Sequence, residues 1–390
     1  MGEQAFIEAN KNKSVAELAL LLSKKTEFNS AFILAQINGL QKAKNKLPEF
    51  YDNPNIIYPV KLSMEQCSSE KTGIYKSSLL RHSGLDPESS IIDLAGGFGI
   101  DSFYFAKQFK QVTYIEQNKE LFDVVKRNFN NLKVDNIDLV NSTAEDLLQT
   151  TNKKVDVVYI DPSRRNENQR VFKLDECTPN IIELTPAIFK LANKILVKTA
   201  PLLDIKQSLK DLINVTKVWV VSVDNECKEV LYLMENGITI EPEINTINLT
   251  KINQVFNFDY QQESDANSNY SAPLKFLYEP NSSILKAGAF NSICGKYKLI
   301  KLAPNTHLYT SEKLIENFPG RSFKVEQVTP YSPKDFKKLG ITKANVSSRN
   351  FEDNPEQIKK KLKLKDGGET YLFATTDLNN KPILITTIKT

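Results

Sequence analysis

Two carboxylates and three glycines fall in a pattern that chemistry can use. The run Asp93-Leu94-Ala95-Gly96-Gly97-Phe98-Gly99 fits DxxxGxG, and Glu116 closes the next apolar segment, about 20 residues on. Glycines Gly97 and Gly99 let a backbone approach a bound group closely. A carboxylate at the offset of Glu116 can take both hydroxyls of a ribose. Asp93 can bind an ammonium or organise the loop. Further on, Val155–Arg165 (VDVVYIDPSRR) ends in Asp161-Pro162-Ser163-Arg164-Arg165. Asp161 there can orient an acceptor amino group, and the fork of Arg164 can stack on a base or grip a phosphate. A nicotinamide-dinucleotide fingerprint fits poorly, because its third glycine would fall at Ser102.

These residues need rigid elements behind them. From Ser89 onward the chain alternates strand and helix patterns, which predicts a doubly wound α/β sheet. The strands are read at Ile91–Ala95, Val112–Glu116, Ile137–Val140, Val155–Ile160, Lys194–Lys198, Lys217–Val223 and Lys228–Met234. The last two are joined only by Asp224 to Cys227, too short for a parallel crossover, so they are expected to form an antiparallel hairpin. Five parallel strands ending in a hairpin is not the order of a dinucleotide-binding fold. Ahead of the sheet, helices are read after a Ser14–Glu17 capping box, over Ser30–Lys46 and over Ser69–Leu80. Gln261–Ser271 reads as a linker. Beyond it, Lys296–Leu302, Ser322–Val328, Glu369–Thr375 and Pro382–Ile388 read as strands, and Ser332–Leu339 and Pro355–Leu364 as helices.

The DxxxGxG loop, Glu116 and the terminal hairpin resemble the class I S-adenosylmethionine-dependent methyltransferases over roughly Ser69 to Met234. That resemblance implies a seven-stranded Rossmann-like sheet with S-adenosyl-L-methionine as cofactor. It assigns the amino-acid and ribose end of the cofactor to Asp93, Gly97 and Gly99, and the ribose hydroxyls to Glu116. The loop after the third strand, Asn141-Ser142-Thr143-Ala144-Glu145, would face adenine, so Thr143 and Glu145 are cofactor-binding candidates; the family often has Asp where Thr143 stands. Asp161, Ser163 and Arg164 occupy the acceptor-side position, where base-amino methyltransferases have (D/N)PP(Y/F) and stack an aromatic ring on the base. The DPPR stretch of RNA uracil-C5 methyltransferases is also similar, but that chemistry needs a cysteine nucleophile after the next strand. Here Lys194–Pro201 reads KILVKTAP, without a thiol. Direct in-line transfer to nitrogen or oxygen remains, in which positioning does most of the work.

LYEPNSSILKAGAF (Leu277–Phe290), GITKANVSSRNF (Gly340–Phe351) and LKLKDGGETYLFATT (Leu362–Thr376) are similar to the ferredoxin-like and THUMP-like tail of a bacterial methyltransferase group. By analogy, the THUMP-like unit implies RNA binding. Charge agrees: the whole chain carries +4, and Gly320–Thr390 alone has 14 Lys and Arg against 8 Asp and Glu. Lys337, Lys338, Lys343, Arg349 and Lys359–Lys361 are the candidate phosphate contacts, although a solvated lysine face has the same composition. Four widely spaced cysteines and two histidines argue against a Cys/His zinc site, and no metal is expected. The cysteines read as reduced thiols. Without a signal peptide or an apolar run of about 18 residues, the expectation is a cytoplasmic protein with no membrane partner.

Four regions are therefore expected: a helical region over 1–85, the methyltransferase domain over 86–260, a ferredoxin-like α+β unit over 272–320 and a basic THUMP-like α+β unit over 321–390. The expected activity is methylation of a base nitrogen in a structured tRNA or rRNA. The alternatives are a small-molecule or protein acceptor, or a cofactor-binding protein without activity. Oligomeric state is not readable.

Overall fold

The computed structural model describes residues 2–23, 27–164 and 173–390, and of Arg164 the backbone alone. The chain forms two compact units, Met1–Thr216 with Val230–Ile240 and Lys217–Glu229 with Glu241–Thr390.

The first unit is built on parallel strands β1 (Ser90–Asp93), β2 (Gln111–Ile115), β3 (Ile137–Val140), β4 (Val157–Ile160) and β5 (Lys194–Thr199). They are followed by β6 (Val215–Val223) and β7 (Glu226–Glu235), which form the hairpin that the short connection predicts. The strand order is β3-β2-β1-β4-β5-β7-β6, with β7 antiparallel to β5. These seven strands keep the doubly wound order expected from the sequence, within a sheet that continues through two more strands past β6. All four residues of β4 are buried, as both-face coverage of a parallel sheet requires. The crossover helix Lys119–Asn131 shows how the pattern becomes packing. Asn118 caps it by accepting from the Leu121 N–H, and Phe122, Val125 and Phe129 recur on one face and are buried.

Ahead of the sheet, helices Glu3–Asn10, Val15–Leu22 and Ser30–Lys46 pack through Phe6, Ile7, Leu18, Leu22, Ile33 and Ile37. The Ser14–Glu17 capping box does not form: Ser14 sits at the N-cap, but its side chain makes no cap bond. Ser69 and Thr72 make such a box instead, at the start of helix Glu70–His82. Phe50, Tyr58 and Met64 share one core with Phe98, Phe103, Tyr114 and Phe129, so the segment before β1 packs directly on the glycine loop's helix.

In the second unit, Lys217–Val223 of β6 pairs in parallel with β8 (Glu243–Leu249), which pairs antiparallel with β9 (Gln254–Phe258). Neither β8 nor β9 is among the strands read from the sequence. The stretch Gln261–Ser271 is not a plain linker. It contains most of a helix, Tyr260–Asp265, whose Glu263 carboxylate accepts the N–H groups of Phe290, Asn291 and Ser292. Those N–H groups lead into helix Ser292–Tyr297, which takes the start of the expected strand Lys296–Leu302; the extended chain begins only at Ile300.

A seven-stranded sheet follows: β10 (Phe276–Pro280), β11 (Ile300–Ala303), β12 (Thr306–Ser311), β13 (Gly320–Pro330), β14 (Asn345–Ser348), β15 (Thr370–Thr376) and β16 (Pro382–Lys389). Its order is β11-β12-β10-β13-β16-β15-β14. The long β13 is its spine, pairing with β10 through its first half and with β16 over most of its length. Period-two alternation gives the sheet two cores. Phe373 and Ile385 face one with Phe323, while Leu372, Ala374 and Leu384 face the other with Ile358 and Phe336. No helix among the described residues is long and apolar enough to cross a membrane.

A Cβ added at Gly320 would lie 2.2 Å from the Glu279 carbonyl oxygen and 2.9 Å from Pro280 Cα, both backbone atoms of the paired strand. Gly320→Ala is therefore expected to cost about 3 kcal/mol, read as a lower urea midpoint; an unchanged midpoint would refute the close strand contact.

Candidate active site

The glycine loop lies hard against β2. A Cβ at Gly96 would fall 2.1 Å from the Tyr114 ring, so only glycine fits there. The Tyr114 hydroxyl donates to the Gly97 carbonyl at 2.6 Å, and Gly96 N–H donates to the Ile115 carbonyl at 2.8 Å. Gly97 and Gly99 both have positive φ, 55° and 76°, which glycine adopts freely. At Gly99 the space is filled by Phe129 and Val125. At Gly97, only the Ala95 carbonyl oxygen comes within 4.0 Å of an added Cβ. The loop thus offers open backbone at Gly97.

Glu116 stands at the end of β2 and is tied to this loop. Its Oε2 accepts from Gly97 N–H at 3.0 Å and its Oε1 from Asn118 N–H at 2.7 Å. Burial pushes its carboxyl up, against the pull of these backbone donors. Each oxygen has spent one acceptor position and keeps another, which suits a vicinal diol. Asn141, at the end of β3, donates to the carbonyls of Glu116 and Gln117. Thr143 caps helix Ala144–Thr150 by accepting from Asp146 N–H, and Glu145 is exposed on that helix.

Asp93 hydrogen-bonds within the loop. It is 1% exposed, accepts from Ser102 Oγ at 2.6 Å and from Ala95 N–H at 3.3 Å. Burial raises its carboxyl to about 7. Asp161, at the end of β4, is half-buried, and its Oδ2 accepts from Lys198 Nζ. Burial pushes Asp161 up while Lys198 pulls it back. Ser163 is exposed, and its hydroxyl donates to the Thr178 carbonyl at 3.3 Å across a short ribbon formed with Cys177–Thr178. The side chain of Arg164 lies outside the described residues, as does Arg165.

The structure also brings in residues that the sequence reading did not select. Asp101, buried in the helix after the glycine loop, accepts from Tyr159 O–H at 2.7 Å and Ser68 Oγ at 2.8 Å, and faces Lys76 Nζ at 3.2 Å. Burial opposes its charge, yet Lys76, Lys198 and the two hydroxyls together hold it below the usual carboxylate range. Two signals were present. Lys76 lies on the buried face of its helix with Thr72 and Leu80, and Lys198 interrupts an apolar strand.

The shared carboxyl-terminal edge of a parallel sheet, with carboxylates after β1, β2 and β4, is where ligands bind in open α/β folds. A solved protein of Porphyromonas gingivalis W83, described as a candidate methyltransferase, matches 99% of this chain and 97% of its own, at 30% identity and a TM-score of 0.87. The chain belongs to this methyltransferase family. Within it, a family model named conserved hypothetical protein 95 matches 85–182, a ferredoxin-like domain 276–319 and a THUMP domain-like model 320–389. An rRNA methylase of Streptococcus thermophilus is similar at 15% identity over 42% of this chain and 96% of its own, with a TM-score of 0.33. A candidate RNA methyltransferase of Pyrococcus horikoshii is similar at 16% over 57% and 99%, with a TM-score of 0.35. Likenesses of that size carry no weight here. No curated protein matches the chain.

As a methyltransferase loop residue, Asp93 has a measurable signature. A carboxyl raised to about 7 from 3.8 binds a proton in the folded state that the unfolded chain has already lost. Its contribution therefore makes the protein less stable as pH rises between those values, by up to about 1.4 kcal/mol per unit. Relative to Asp93→Asn, wild-type stability is expected to decline across that window; parallel curves would show that Asp93 does not titrate there.

Proposed function

We propose that this methyltransferase uses S-adenosylmethionine to methylate a base nitrogen of a structured RNA. The observation that carries the cofactor is Glu116, clamped to Gly97 N–H beside a loop whose backbone is open. The donor set fits: two carboxylate oxygens with acceptor capacity left for the ribose hydroxyls, an open backbone at Gly97 and the Thr143–Glu145 segment after β3 for the adenine side. Bound there, the cofactor supplies an electrophilic methyl group. The protein's own task is positioning and water exclusion.

On the acceptor side, Asp161 is the carboxylate to receive a hydrogen bond from the amino group being methylated. Its Oδ1 makes no hydrogen bond among the described residues, Oδ2 being held by Lys198. That hydrogen bond turns the nitrogen lone pair toward the methyl and stabilises the charge that develops on nitrogen during transfer. Ser163 and Arg164 follow Asp161 on the same strand end, in the place of the base-stacking residues of base-amino methyltransferases.

The RNA part rests on the THUMP-like segment and its basic excess. Several candidate cations are engaged locally: Lys338 with Asp335, Lys359 with Glu356 and Asp366, Lys361 with Asp353, and Arg349 with the buried Glu279. Lys337, Lys343 and Lys360 are exposed, without an ion pair among the described residues. This local pairing favours a second reading, in which the acceptor is a small molecule or protein and the tail is a packing element.

Calorimetric titration of S-adenosylmethionine should show binding to wild type and at least about tenfold weaker binding to Glu116→Ala, the worth of one charged hydrogen-bond acceptor. Equal affinities would remove the ribose role. For the acceptor, the triple variant Lys337→Glu, Lys343→Glu, Lys360→Glu should weaken binding of bulk tRNA and flatten the slope of log K against log salt by about two. An unaltered slope, or no RNA binding by wild type, would favour the second reading.

A further inference from the structure

Two of three buried charges have no role in the scheme above, and the third, Lys198, enters it only as the partner of Asp161 Oδ2. Lys76 is fully buried, Asp101 is 7% exposed and Lys198 is 8% exposed. Against apolar side chains of the same volume, buried ion pairs add little stability, so packing alone gives no reason for them. With Asp161 they make a row of alternating sign: Lys76, Asp101, Lys198, Asp161. Lys76 contacts Asp101, Lys198 contacts Asp161, and Lys198 stands near enough to Asp101 to favour its charge. Exposure rises along the row to 31% at the Asp161 side chain. The inner end is fixed, because Tyr159 and Ser68 both donate to Asp101 Oδ2 while Lys76 faces Oδ1 and donates to Ser68 Oγ at 3.1 Å. The outer end is the carboxylate already placed on the acceptor side.

We propose that Lys198 is the positioning residue of the acceptor side: it holds Asp161 Oδ2, leaves Oδ1 to receive the acceptor's N–H, and so selects a neutral amino group over an anionic oxygen. The acceptor part rests on the methyltransferase reading above; the effect of Lys198 on Asp161 does not. A negative oxygen on the acceptor would meet the Oδ1 lone pairs and be repelled, whereas an amino group donates to them. Burial pushes the Asp161 carboxyl up, and the ammonium pulls it back toward the charged form. The other charged and titratable groups that these residues feel are Asp101 and Lys76, Asp93 at the end of β1, Lys46 on the helix Ser30–Lys46, and Cys67, whose thiol burial pushes up against the pull of Lys46 and Lys198. Of these, Lys198 alone is hydrogen-bonded to Asp161.

The test titrates the Asp161 carboxyl carbon by 13C NMR in the full chain without cofactor or acceptor, its signal assigned by loss in Asp161→Asn. Lys198→Met keeps the stem and removes the charge; Lys198→Arg keeps the charge. The Asp161 titration should move up by about one pH unit or more in the methionine variant and stay near wild type in the arginine variant. Identical titrations in wild type and Lys198→Met would overturn the proposal. Should the methionine variant not fold, Lys198→Gln is titrated in its place with the same two outcomes.

With an amino acceptor in hand, the acid limb of the kcat profile should move up with the titration in Lys198→Met. A limb that stays put would overturn the positioning role. Because the titration needs no turnover, absence of methyl transfer by wild type would count against the functional reading alone.

Discussion

The site depends first on how closely the glycine loop lies on the second strand. Tyr114 fills the space under Gly96 and holds the Gly97 carbonyl through its hydroxyl, and Gly97 N–H then meets Glu116. A fully buried ring gives the loop a floor that cannot sink. The Glu116 carboxylate is consequently oriented before any ligand arrives, with both oxygens already anchored. Preorganisation of this kind lowers the ordering cost of binding. Asp93 takes one bond on each oxygen from within the loop, from Ala95 N–H and Ser102 Oγ, just as Glu116 takes one on each from Gly97 and Asn118 N–H.

Carboxylates buried at one sheet edge are costly unless each has an offset. The offsets differ, and the differences sort the groups. Asp101 has two hydroxyl donors and a facing lysine, and holds its charge despite burial. Asp93 has one hydroxyl and one distant backbone donor, and burial prevails, to about 7. Asp161 lies between them, since Lys198 offsets part of its burial. Perturbed carboxyls arise both at functional sites and in structural ion-pair networks, and this row runs from a fully buried lysine to a half-exposed carboxylate. The inner pair is held by the Tyr159 and Ser68 hydroxyls; the outer group is half-exposed.

Much of the catalytic sheet was legible because its signals are local. Apolar runs such as Val157–Ile160 and a helix such as Lys119–Asn131 declare themselves within a few residues, and the short connection after Val223, a two-residue turn at Asp224-Asn225, dictates the hairpin. The glycine loop and Glu116 were legible for the same reason, as one run and one offset. The charge row was not, since Lys76, Asp101 and Lys198 converge from distant positions and their meaning is a matter of burial. Strands β8 and β9 escaped because EINTINL and QVFNF carry amides at positions that a pattern reading scores as polar; Asn248 is in fact buried, accepting from Asn225 N–H and donating to Gln254. Helix Ser292–Tyr297 escaped because its N-terminal donors are satisfied by Glu263, a residue far back in the chain.

The basic tail shows why counting charges is a weak guide to a binding face. Arg321 and Arg349 share Glu279, which is 2% exposed, so both guanidiniums are committed to a buried carboxylate, and Arg321 also lies over the rings of Phe323 and Tyr371. Lys359 answers two acids at once, Glu356 and Asp366. The consecutive run Lys359–Lys361, conspicuous in sequence, is thus two paired lysines around one exposed unpaired neighbour. Exposed cations without an ion pair among the described residues also come from separate segments, such as Lys337 after β13 and Lys343 just before β14, whose backbone bridges to that of Lys365. Composition makes the lysine run prominent, but two of its three members are answered by local carboxylates.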